Sequence, residues 1–134
     1  MPITLDANIW VSAFNFKGAG QRILDMAEAG TIQLVTSEAI IEEVLDVLGR
    51  KFDWSAPELR MARTRMGRYA EIVEPTQGIT EVTEDPDDDR ILECAVASGS
   101  QYIITGDRDL LRRGEYEGIG IVTMADFLKR RSER

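Results

Sequence analysis

Short apolar runs alternate with amphipathic stretches along the whole chain. The runs around Ile3–Asp6, IQLV at 32–35, EIVEP at 71–75, YIIT at 102–105 and GIGIV at 118–122 read as strands. Between them, apolar positions recur at helical spacing. One helix is predicted from about Asn8 through Phe16. Lys17-Gly18-Ala19-Gly20 interrupts it, and a second runs to about Ala29, with Gly30 as its stop. Ser37 is placed to cap a helix from about Glu38 to Leu48. Pro57 suits the first turn of a helix reaching about Ala70. The stretch 76–87, rich in Thr and acids, reads as a loop. A further helix starts near Asp87 and ends at Ser98-Gly99, and GDRDLLRRG reads as a turn and short helix. Thr123 is placed to cap a terminal helix whose apolar contacts are Ala125, Phe127 and Leu128, with a fraying KRRSER tail. Helix–strand alternation from end to end predicts an α/β sandwich around a mostly parallel sheet. No linker or internal repeat divides it, so residues 1–134 are expected to form a single domain.

Helical phase picks out particular acids. Asp6 ends the first apolar run and Asp107 follows YIIT, so each carboxylate stands at the exit of a strand. Sites in open parallel sheets form beyond those strand ends. At about 100° per residue, Ile40, Ile41, Val44, Val47 and Leu48 make one stripe, and Glu43 lies beside it. Glu42 and Asp46 face away. In DPDDDR, Asp88 shares the face of Ile91, Leu92 and Ala95, whereas Asp87 and Asp89 sit about 100° to either side. Asp85 or Asp87 suits the helix cap, where first-turn acids are favourable. Carboxylates near a core are costly unless compensated, and acids converging from four distant segments suggest a metal site. Singly, each has a plain role as well: Asp6 as a turn or cap residue, Glu43 as a solvated flank, Asp109 as a helix cap or the holder of a metal-bound water.

Composition narrows the chemistry. There is no histidine, which removes His-based triads, histidine zinc sites and imidazole acid–base catalysis. The one cysteine, Cys94, excludes an internal disulfide and thiolate zinc sites, and a reducing, cytoplasmic setting is the plain reading. The N-terminal stretch carries no secretory pattern and no apolar run approaches a membrane span. A net charge of −8 argues against a simple nucleic-acid binder but not against an enzyme that holds cations in a pocket.

Four stretches together resemble the PIN domain family, in particular prokaryotic PIN-domain ribonucleases that act as toxins of toxin–antitoxin pairs: LDANIWVSA at 5–13, SEAIIEEVLDVL at 37–48, DPDDDRILECA at 85–95 and YIITGDRDLL at 102–111. The resemblance implies a three-layer sandwich with about five parallel strands and Mg²⁺- or Mn²⁺-dependent hydrolysis of RNA phosphodiesters. Its catalytic and metal-holding acids fall on Asp6, Glu43, Asp88 and Asp107. Asp89, Asn8 and Thr105 match supporting positions. It also implies homo-oligomers and a cognate antitoxin.

RNA contact would come from local basic residues. Arg108, Arg112 and Arg113 follow Asp107. Arg60 and Arg63 lie on the polar side of the helix near 57–70, with Arg65 and Arg68, and a solvated face explains them as well. Trp10, Phe14 and Phe16 are candidates for core or interface. Two other functions stay open: an aspartate-based phosphotransfer or phosphatase domain, and a catalytically silent interaction module on the same fold. Against the first, DAN lacks the second Asp of haloacid-dehalogenase-type phosphatases. The lysines are only Lys17, Lys51 and Lys129, so there is no strand-end lysine of the receiver type.

Overall fold

The computed structural model describes residues 1–76, 78, 79 and 85–132. The expected loop at 76–87 and the expected fraying of the tail therefore fall partly outside the described residues. In chain order the elements are β1 (Pro2–Leu5), α1 (Ala7–Asn15), α2 (Ala19–Glu28), β2 (Gln33–Thr36), α3 (Glu38–Phe52), α4 (Ala56–Tyr69), β3 (Ala70–Ile72), α5 (Pro86–Ser98), β4 (Tyr102–Ile104), α6 (Arg108–Arg113), β5 (Glu115–Tyr116), β6 (Ile119–Val122) and α7 (Met124–Ser132).

The strands form one sheet in the order β3-β2-β1-β4-β6-β5. Every neighbouring pair is parallel except β5 with β6. Five parallel strands match the expectation, and β5 is an addition that the sequence reading missed. It exists because Glu117 and Gly118 both take positive φ, 48° and 82°, the backbone a two-residue hairpin turn requires. The strand order reverses direction at β1: the chain first builds outward through β2 and β3, then returns to add β4 on the other side. A crevice opens at such a reversal, beyond the strand ends. Ile3 pairs with Tyr102 and Leu5 with Ile104, so Asp6 and the residues after Ile104 emerge side by side.

Local sequence explains the helix limits. Ser37 Oγ accepts from the Ile40 amide, and Ser55 with Glu58 forms a reciprocal capping box at α4. α3 runs past the expected end at Leu48, with Arg50 and Lys51 favourable in its last turn, and stops at Asp53, whose φ is 56° and whose amide donates to the Leu48 carbonyl. At Gly20 a Cβ would stand 2.9 Å from the Ala13 backbone, so glycine permits the close crossing of α1 and α2. Thr123 Oγ1 accepts from the Asp126 amide. Phe127 is buried as expected, but Ala125 is exposed. The core gathers Leu5, Trp10, Leu34, Ile41, Leu92 and Ile103, all essentially inaccessible. Trp10 is thus a core residue. Phe14 is half-buried against it, and Phe16 is exposed, edge-on to Phe52 with ring centroids 6.5 Å apart.

Candidate metal centre in an acidic cleft

A cleft of about 80 Å³ lies beyond the C-terminal ends of β1 and β4. Asp6, Glu43, Asp88 and Asp107 all line it, so the four acids singled out from the sequence meet at one place. Asn8, Asp85, Asp87 and Arg90 line it as well.

Asp6 follows β1 and caps α1. Its Oδ1 accepts from the Asn8 amide at 3.2 Å, and its Oδ2 accepts from Thr105 Oγ1 at 2.5 Å. Thr105 Oγ1 in turn accepts from the Asp107 amide at 3.0 Å. One buried hydroxyl therefore ties the first acid to the backbone of the last. Asp107 Oδ2 accepts from the Leu110 amide at 2.9 Å, which makes Asp107 the cap of α6. Asp109, for which a cap role was expected, is instead exposed and paired with Arg112 at 3.0 Å. Asp85 caps α5, its Oδ1 accepting from the Asp87 amide at 2.9 Å. Three of the acids around this cleft thus start helices, where the partial positive charge of the free amides offsets their own.

The carboxylates stand under strain as anions. Burial chiefly raises the pKa of Asp6, with repulsion from Asp107 adding and the Thr105 and Asn8 hydrogen bonds opposing. Burial first, then Asp107 by charge and by hydrogen bonding, and then Asp85 and Asp6, push Asp88 up to about 8. Burial, then Asp87 and Asp46, raise Glu43. The Asp87 contact corrects the helical-phase expectation. Asp87 was placed facing away, yet it lines the cleft and hydrogen-bonds Glu43. The reason is its position in the first turn of α5. Helical Cα–Cβ bonds tilt toward the N-terminus, so a side chain there leans over the helix end as well as around it. Asp89, by contrast, is 3% exposed and lies outside the cleft lining. Its charge reaches Tyr116 of β5, whose phenol is raised mainly by burial and by Glu117.

A set of oxygen donors without histidine or thiolate suits a hard divalent cation, and such a cation would relieve the mutual repulsion. The residues fit by chemistry. By position they are not yet a cage: among the described residues no three acids converge on one ligating point. Asp107 stands close enough to Asp88 to raise its pKa by charge and by hydrogen bonding, so their two carboxylates face the same part of the cleft.

The basic candidates divide by place. Arg108 and Arg112 line an open groove that shares Asn8 and Asp107 with the cleft. Arg113 lines neither. Arg63 pairs with Glu38 at 2.9 Å, and Arg60 lies with Met61, Arg65 and Arg68 in a shallow groove on α4. Neither Arg60 nor Arg63 reaches the cleft. Sequence reading missed Arg90, which does. Its local partner Glu93 reads as an ordinary i,i+3 pair, and its other anchor is the carbonyl of residue 79, eleven positions away.

No described helix is long and apolar enough to cross a membrane. Comparison with curated protein sequences finds no match. Among solved structures, the fold is similar to a chain in the crystal structure of VapBC2 from Rickettsia felis bound to a DNA fragment from their promoter. The TM-score is 0.61 at 15% identity, covering 90% of this chain and 97% of that one. The sequence profile of the PIN domain matches residues 2–109. Members of that family are generally nucleases and typically use divalent metals. With four-fifths of its length matched, the chain belongs to the PIN domain family.

Proposed function

We propose that this protein is a divalent-metal-dependent endoribonuclease, acting as one PIN-like domain over residues 1–134, and the toxin of a toxin–antitoxin pair. The observation that carries the reading is the convergence of Asp6, Glu43, Asp88 and Asp107 on one cleft at the sheet's point of reversal. Asp6, Asp88 and Asp107 would hold Mg²⁺ or Mn²⁺, and Glu43 would complete the set. Bound there, the ion supplies a lowered water pKa and charge neutralisation at the scissile phosphate. The chain's own part is to position. Thr105 keeps Asp6 and Asp107 in fixed relation. Asp88, whose pKa is raised to about 8, would have to ionise to act as a ligand, so metal binding and its proton would compete. Asp87 steadies Glu43 through their hydrogen bond. Exposed Asn8, at the junction of cleft and groove, is placed to orient the incoming strand.

The VapBC2 neighbour is a complex, which supports an antitoxin as partner for this chain too. A homo-oligomer and a cytoplasmic setting complete the proposal, the latter in keeping with a lone buried cysteine. The decisive experiment incubates the purified chain with structured and unstructured RNAs, with and without Mg²⁺ or Mn²⁺, and maps the product ends. Cleavage should require metal and should be nearly abolished in Asp88→Asn and Asp107→Asn variants that remain folded by circular dichroism. Metal-independent cleavage, or full activity in both variants, would sink the reading.

A further inference from the structure

We propose that Arg90 is the residue of the cleft that grips the substrate's phosphate, an inference that rests on the nuclease reading above. Among the described residues lining the cleft, Arg90 is the one cation, set against six carboxylates. An RNA phosphate entering that field meets repulsion from every side chain that could hold a metal. A cation built into the same wall lowers that repulsion where the phosphate must sit.

Arg90 is also held in place. Its Nη2 donates to the Ile79 carbonyl at 2.5 Å, and its Nε lies 2.7 Å from Glu93 Oε1. The Nε contact is an ion pair without an aligned hydrogen bond. Glu93 Oε2 accepts from the Ile79 amide at 2.7 Å. Arg90 and Glu93, one turn apart on α5, thus clasp the main chain of buried Ile79 by both its polar groups. These contacts engage Nε and Nη2, and a guanidinium carries five N–H donors in a rigid fork. The fork can keep its anchors and take a phosphate oxygen at once. Its side chain is 33% exposed, against 75% for Arg112 and 44% for Arg63, so its charge is less screened by solvent and salt than theirs.

The test uses the full chain and a single-stranded RNA oligonucleotide in Mn²⁺, with kcat/KM measured over a range of salt concentrations. Calorimetric Mn²⁺ titration without RNA gives a second readout. Arg90→Gln should lower kcat/KM by about tenfold or more and flatten the slope of log kcat/KM against log salt by roughly one phosphate contact, about 0.7. Mn²⁺ affinity should hold or rise, because a competing cation has left the wall. Arg90→Lys should keep the salt slope and the fold while losing part of kcat/KM, since it retains charge without the fork. Glu93→Gln, which loosens the clasp but leaves the guanidinium, should keep the salt slope. An unchanged salt slope in Arg90→Gln, or loss of Mn²⁺ affinity alongside activity, would show that Arg90 only braces α5 and overturn the proposal. A wild-type chain that leaves RNA intact in Mn²⁺ would overturn the nuclease reading and this inference with it. Cleavage by wild type with an indifferent Arg90→Gln would overturn this inference alone.

Discussion

Thr105 shows how much of the site depends on a single hydroxyl. It donates to Asp6 and accepts from the Asp107 amide, and it is wholly buried. Thr105→Val should cost about 1–3 kcal/mol, the penalty for leaving a buried polar partner unmatched. Cleavage should fall at least tenfold, while Thr105→Ser retains most of it. Urea unfolding and rate measurements on the pair check both. Asp88 governs the pH response. Its pKa is raised in the folded chain to about 8, above its ordinary value of 3.8. The native state therefore holds a proton that the unfolded chain has released. Its contribution is fully present below about pH 4 and is lost as pH rises toward 8. The melting temperature of metal-free protein should drop between pH 5 and 8.5, and the drop should largely vanish in Asp88→Asn. An equal drop in both would place the titrating group elsewhere. The principal acids were legible in the sequence because apolar neighbours fix helical phase: Asp88 shares the side of Ile91 and Leu92. Asp87 was misread because phase alone ignores the lean of a first-turn side chain. Arg90 was invisible because its anchor, Ile79, is a tertiary partner.

Elements were easiest to read where their ends carry chemistry. Ser37, Ser55 with Glu58, and Thr123 accept amide hydrogens where caps or first turns were expected. The β5–β6 hairpin was not legible because Glu117-Gly118 lacks the usual signal at its first position. Glu117 holds φ at 48°, a region that costs an ordinary residue about 1–2 kcal/mol. Glu117→Asn supplies the favoured Asn-Gly pair and should raise stability by several tenths of a kcal/mol, measured by urea unfolding. At the crossing of α1 and α2, Gly20→Ala should do the reverse. Its new methyl would meet the Ala13 backbone at 2.9 Å, and the forced shift should cost about 1–3 kcal/mol.

At the scale of the whole molecule, the chain carries −8 overall, and six of its acids gather in one cleft beyond the strand ends. Millimolar Mn²⁺ should raise the melting temperature through binding to the native state, and the rise should be lost in an Asp6→Asn, Asp107→Asn double variant. A thermal shift that survives both substitutions would move the cation away from this cleft. The parallel sheet was legible because apolar runs alternate with helical stripes, and the meeting of Asp6 with Asp107 followed once β1 and β4 were taken as neighbours. The strand order has a further consequence for how activity is lost. β1 and β4 are hydrogen-bonded on both sides, whereas β3 and β5 form the margins of the sheet. Margins open by local fluctuation, and inner strands exchange their amide hydrogens only on global opening. The amides of Leu5 and Ile104 should therefore be among the slowest to exchange. Heat inactivation should follow the global unfolding rate, and a chain whose edges have frayed should still cut at full speed.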